Sequence, residues 1–299
     1  MKVAYLILAH HLPELTAHLV RSLTCDWATF FIHVDLKADI APFRALLADH
    51  PGVRFLSGQR RIKVSWGGFS LVQATLNLLT EATQTGTFDR YCLLSGMDAP
   101  IKPLAAIRER LAGGQEFLRV DRRLSDPVGK NHGLAIRRYY FLDLPIPRRL
   151  NLWLLSGRIP RLTPPPIPIY HGANWWCLTA ACVGFLLDFV SRNPGYLAYH
   201  RYTRIPDETF FHSLIKQSPF AERISHDFEQ ASSLADFFAA NDHGCHYIDW
   251  NAAGKVLPKV LTLDDLPALQ RSPSLFARKF DPIRSRDLLQ VLEREAGEG

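Results

Sequence analysis

The chain has 299 residues, 47% of them hydrophobic, with 35 Lys and Arg against 29 Asp and Glu, a formal charge of +6. That is enough apolar material for one large α/β domain or two modest ones, in an ordinary globular protein. The basic residues are scattered with no long run, which argues against nucleic acid and leaves a nucleotide diphosphate as an acidic partner that asks for few cations.

Val3 to Leu8 is a continuous apolar run ending in Ala9-His10-His11, the pattern of a buried parallel strand that opens onto a loop. A strand explains this start better than a signal sequence does. Leu12 to Leu23 reads as a helix, Thr29 to Val34 as a second strand with Asp35 directly past it, and Val53 to Leu56 as a short third. Strands alternating with helices imply a mostly parallel sheet with ligands at the strands' carboxyl ends, where His10 and Asp35 lie. Each of these two is either a site residue or a polar residue that marks the chain leaving the core.

Arg60 to Phe69 forms a loop carrying Lys63, Ser65, Trp66 and the Gly67-Gly68 pair, which permits close backbone approach but is no phosphate-binding fingerprint. The helix Ser70 to Glu81 follows. Arg90 to Leu94 is another buried strand with Asp98 in its exit loop, Leu104 to Leu111 a helix, and Phe117 to Val120 a strand. From Asp121 to Pro168 the composition shifts to Arg, Pro and aromatics, a long irregular insertion that would form a rim over the cleft. Tyr170 to Thr179 then reads as one strand. Its adjacent Trp175 and Trp176 must face opposite sides, so that one indole packs in the core and the other stacks on a sugar, unless both serve the core.

Ile205-Pro-Asp-Glu-Thr-Phe-Phe-His-Ser-Leu-Ile215 places Asp207 and Glu208 at a helix mouth, with Pro206 at the first position and Phe210, Phe211, Leu214 and Ile215 on one apolar face. A carboxylate between such a face and a cleft can have its pKa raised toward neutrality, as a general base requires. Acidic residues also favour helix N-termini for the macrodipole alone. Ile224 to His226 and Cys245 to Trp250 read as short strands. Near the end, Arg278 and Lys279 sit between Phe276 and Phe280, which would anchor two cations.

The five cysteines are widely separated with no C-x-x-C pair, which argues against a zinc ribbon or a disulfide framework; Cys92 and Cys177 read as small buried hydrophobes. A reducing compartment follows. No apolar run reaches the roughly 18 residues of a membrane span. The expectation is a cytoplasmic protein that rests, at most, on the inner face of a membrane through basic, proline-rich segments.

Together these stretches resemble one family, the core-2/I-branching β-1,6-N-acetylglucosaminyltransferases with the related peptide O-xylosyltransferases. The resemblance is carried by Ala4 to His11, Ile32 to Lys37, Val64 to Gln73, Leu94 to Lys102, Gly172 to Trp176, Pro206 to Glu208 and Phe276 to Phe280. It implies a GT-A fold over residues 1–299 that transfers a sugar from a UDP-sugar to a glycan or glycolipid hydroxyl with inversion. By that resemblance Glu208 is the catalytic base. Ala9, His10, Asp35, Lys63, Ser65, Trp66, Asp98, Arg278 and Lys279 bind the donor, and Trp175, Trp176 and Asp207 the acceptor.

No Asp-x-Asp occurs in the chain, and the family implies basic side chains in place of a metal, so no metal or other cofactor is expected. GlcNAc is the expected sugar, xylose the alternative, and a non-catalytic carbohydrate-binding protein the alternative from another class. One departure stands out. Where a second diphosphate-binding arginine is expected the chain carries His246, so either the register differs or Arg278, Lys63 or one of Arg60 and Arg61 supplies the charge.

Overall fold

The computed structural model describes residues 1–124, 132–144, 155–229, 241–250 and 257–297. β1, Val3–Ala9, is buried along its whole length because both of its faces are covered. Ala4, Leu6 and Leu8 enter one apolar cluster, and Val3, Tyr5, Ile7 and Ala9 the other. β2 (Ala28–Val34) and β4 (Arg90–Ser95) flank it in parallel, and β3 (Val53–Phe55) continues beyond β2. Helix α1 (Pro13–Ser22) contributes Ala17, Leu19 and Val20 to one face, while α3 (Phe69–Thr85) lays Val72, Ala74, Leu76 and Leu79 on the other.

Past β4 the sheet turns antiparallel, through β8 (Cys177–Thr179) to β6 (Glu116–Arg123) and β7 (Tyr170–Gly172). The expected α/β sheet flanked by helices is therefore present, parallel through its first four strands and mixed beyond them. A smaller sheet joins β10 (Asp242–His243), β11 (His246–Ile248), β12 (Phe276–Arg278) and β5 (Ala99–Pro100). It hangs β12 beside the exit of β4.

Three expectations need correction. Tyr170 to Thr179 is two strands, not one, and both tryptophans lie on the link between them. Asp207 and Glu208 occupy a separate 3-10 turn, Pro206–Glu208, ahead of helix α8 (Phe210–Lys216), because Thr209 breaks the helical backbone between them. Cys92 and Cys177 are not simple buried thiols: register on β4 and β8 sets them directly opposite, and they are joined as a disulfide. Their separation of 85 residues hid the pairing, and the argument for a reducing compartment loses its support.

Between 121 and 168, β6 runs on through Arg123, and Arg138 bridges Pro160. The strip is tied to the chain near 200 by Tyr140 N–H donating to Tyr202 O and Arg204 N–H to Ala135 O. Residues 125–131 and 145–154 of the insertion lie outside the described residues. Among the described residues no helix is long and apolar enough to cross a membrane.

Candidate active site

A cleft of about 850 Å³ opens at the carboxyl ends of β1, β2 and β4, lined there by Ala9, His10, Asp35, Ser95, Gly96 and Met97. Crossover topology puts loops, and hence polar side chains, at these ends. The antiparallel half of the sheet brings in Arg119, Asp121, His171, Asn174 and Trp175, and the 3-10 turn brings in Asp207 and Glu208. Trp66 stands at the lip, 79% exposed, and Arg278 enters from β12.

Glu208 is held by a chain of ionisable groups. Arg119 Nε donates to Asp121 Oδ1 at 2.7 Å; the other Asp121 oxygen is 3.0 Å from His171 Nδ1, and His171 Nε2 is 3.1 Å from Glu208 Oε2. Burial disfavours the His171 charge, yet hydrogen bonds to the two carboxylates raise its pKa to about 9. Asp207 behaves differently from its neighbour. It is buried, its Oδ1 has no hydrogen-bond partner among the described residues, and burial followed by the Glu208 charge pushes its pKa up to about 7. Asn174 Oδ1 is likewise buried without a described partner, on a residue that also lines the cleft.

Asp98 lies fully buried beneath the opposite end of the site. It accepts from Ser95 N–H and Ser95 Oγ, both at 2.7 Å, and pairs with His246 Nε2 at 3.2 Å. Burial would raise this carboxyl, but Arg278, His246 and Ser95 outweigh it and hold it below the usual carboxylate range. Arg278 Nε is 3.7 Å from Asp98 Oδ1, and its guanidinium lies over Trp175, 4.2 Å from the ring centroid. Asp98 thus supports the Arg278 guanidinium from beneath and is not part of the cleft surface.

His246, at the position where the resemblance led to an arginine being expected, is completely buried, with its pKa lowered chiefly by burial, and does not line the cleft. Arg61 does not supply the charge either, since its guanidinium donates to the carbonyls of Val34, Asp35 and Ala38. Arg60 pairs with Glu81 and Gln84. Arg278 is the arginine that reaches the cleft at this end, beside Asp98. Lys279 stands near enough to His10 and His11 to lower both of their pKa values, secondary to burial.

Lys63 is exposed, and Lys63, Ser65 and Lys279 are not among the described residues that line the cleft. Trp176 is fully buried against Phe211 in the core and does not line the cleft, so of the adjacent pair Trp175 is the one that does. Asp35 lines the cleft but accepts from Lys37 N–H at 2.9 Å and pairs with Lys37 Nζ at 3.4 Å. Lys37, Arg119, Asp121 and His171 escaped the sequence reading. The signal for His171 was the following Gly172, whose missing Cβ allows β7 to press against the Arg119 carbonyl.

At the strand ends of an α/β protein, the cleft thus sets a carboxylate chain on one side and a supported guanidinium on the other. The chain belongs to the Core-2/I-Branching enzyme family, whose model matches residues 3–269. Among curated relatives it is 24% identical to Xylosyltransferase 2 of Rattus norvegicus over 302 residues, 98% of this chain and 33% of that protein. It is 23% identical to Xylosyltransferase oxt of Drosophila melanogaster over 306 residues, again 98% of this chain and 33% of the other. The chain thus spans about a third of the length of these relatives. A crystal structure of the galactosyltransferase LgtC with donor and acceptor sugar analogs aligns at a TM-score of 0.39 and 9% identity, covering 99% of this chain and 95% of that one.

Proposed function

We propose that this protein is an inverting glycosyltransferase of GT-A type that moves a sugar from a UDP-sugar to a glycan hydroxyl. The observation that carries the reading is that Glu208 opens onto the same cleft as the carboxyl ends of β1, β2 and β4 and the Arg278 guanidinium. In the reaction the acceptor hydroxyl gives its proton to Glu208 as its oxygen bonds to the anomeric carbon. The bond from that carbon to the UDP oxygen breaks, and the electron pair leaves with UDP. Arg278, with Lys279 nearby, stabilises the negative charge that grows on the diphosphate, a role that does not call for a metal in this reading.

Asn174, Trp175 and Asp207 line the same cleft and are the side chains this reading sets against the acceptor sugar. The xylosyltransferase names of the relatives favour UDP-xylose as the first donor to test, ahead of the UDP-GlcNAc expected from sequence. Glu208→Gln keeps the shape and removes the base. Transfer should fall by about 10²–10⁴-fold, the range a general base supplies, while UDP affinity changes little. Parallel loss of UDP binding would mean that Glu208 is structural, and undiminished transfer would reject it as the base.

A further inference from the structure

Both ring nitrogens of His171 face carboxylate oxygens, Asp121 Oδ2 at 3.0 Å on one side and Glu208 Oε2 at 3.1 Å on the other. An ionised carboxylate has no hydrogen to donate, so satisfying both contacts requires a hydrogen on each nitrogen. Only the imidazolium provides that. The ring is largely buried, with its side chain 14% exposed, and cannot swing without breaking one contact. Behind it Asp121 is braced in turn by Arg119.

The strand register makes this arrangement possible. β6 and β7 pair Val120 with Gly172 and Arg122 with His171, with an irregularity between them that sets Asp121 beside the ring. A side chain on Gly172 would collide with the Arg119 carbonyl and the His212 ring, so the close approach depends on that glycine.

We propose that His171 is a positioning residue for Glu208: an imidazolium, clamped from behind by Asp121, that fixes the Glu208 carboxylate by one oxygen so that the acceptor proton goes to the other. This rests on Glu208 as the base, the reading given above. His171 takes no proton in the cycle. The proton from the acceptor resides on Glu208 and is released to solvent after the products leave.

Among the described residues, the charged and titratable groups that face the ring include Asp121 on β6, Glu208 and Asp207 on the 3-10 turn and His212 on α8, with Arg119 beyond Asp121. These carboxylate and histidine neighbours act on its charge together. A neutral imidazole has one N–H for two carboxylates, so deprotonation must release either Glu208 or Asp121. The consequence is an alkaline limit on activity that comes from this ring.

The test is the pH dependence of kcat/KM for wild type, His171→Gln, His171→Ala and Asp121→Asn, together with a proton NMR titration of the ring, assigned by its disappearance in His171→Gln. Wild-type activity should fall as pH passes about 9. In His171→Gln kcat should drop by about 10- to 100-fold, a part of what the base itself supplies, with the donor KM little changed and the alkaline fall gone. His171→Ala should lose more, because the glutamine amide still donates one hydrogen bond. Asp121→Asn removes a negative neighbour, so the alkaline fall should move to lower pH.

A lower kcat in His171→Gln with the wild-type pH profile intact would make the ring merely structural and overturn the proposal. The NMR titration needs no turnover: in Glu208→Gln the ring should titrate at lower pH than in wild type. An unmoved titration would show that His171 does not hold Glu208. Full transfer by Glu208→Gln accompanied by a lowered ring titration would sink the choice of base and leave the Asp121–His171–Glu208 chain standing.

Discussion

Asp207 allows a stability prediction whose sign can be worked from its surroundings. Its carboxyl is buried, with Oδ1 unpartnered among the described residues, and its pKa rises from 3.8 to about 7 through burial and the Glu208 charge. A carboxyl that holds its proton more tightly in the folded state stabilises the fold fully below pH about 4, and that contribution is lost as pH rises through about 7. At about 1.4 kcal/mol per pH unit the full span is roughly 4 kcal/mol, of which roughly 2 to 3 falls between pH 5 and pH 8.

Asp207→Asn removes the titration and preserves the shape. The wild-type curve alone is ambiguous, because buried His33, His200, His212 and His243, held neutral by burial, oppose the trend below pH 6.5. The difference between wild type and Asp207→Asn cancels those terms. Urea unfolding followed by fluorescence of the six tryptophans should show wild type gaining on the variant as pH falls from 8 to 5. A difference that is flat with pH would mean that Asp207 stays ionised in the fold, and the reasoning from burial would be wrong.

Two further outcomes follow from the same geometry. Transfer should persist in excess EDTA if Arg278 and Lys279 stabilise the leaving diphosphate, and a strict Mn²⁺ requirement would overturn that chemistry. Gly172→Ala should destabilise the protein by roughly 1–3 kcal/mol, the usual cost of forcing atoms into a packed site, since the added carbon meets the Arg119 carbonyl and His212. It should also depress activity more than its melting temperature alone explains, because His171 rides on the same strand; a fall in stability with normal turnover would separate the two.

The parallel half of the fold was legible because its signals are local. Val3 to Leu8, Thr29 to Val34 and Arg90 to Leu94 each carry a buried strand's pattern within a few residues, and the structure sets them side by side. The candidate residues at the ends of those strands, Ala9, His10 and Asp35, inherit that legibility and line the cleft. The antiparallel half gave no such warning. Asp121 and His171 are fifty residues apart, and the disulfide partners Cys92 and Cys177 are 85 apart, so their meeting depends on strand register that no local pattern encodes.

The Gly67-Gly68 pair shows how a correct local inference can have an unforeseen object. The glycines do allow close backbone approach, but what approaches is the protein itself. Asp143, from the insertion, accepts from Ser70 N–H at 2.9 Å at the start of α3, and its carboxylate fills the space where a Gly68 Cβ would lie. Gly67, with φ of 71°, presents its carbonyl to Ile205 N–H at 2.7 Å. That bond holds Ile205 at φ 51°, a left-handed conformation unfavourable for a β-branched residue by about 1–2 kcal/mol. Ile205 is the last residue before the turn that carries Asp207 and Glu208, and its backbone angle aims that turn into the cleft. The glycine loop therefore acts on the candidate base through one carbonyl, joining the insertion, α3 and the 3-10 turn at a single point.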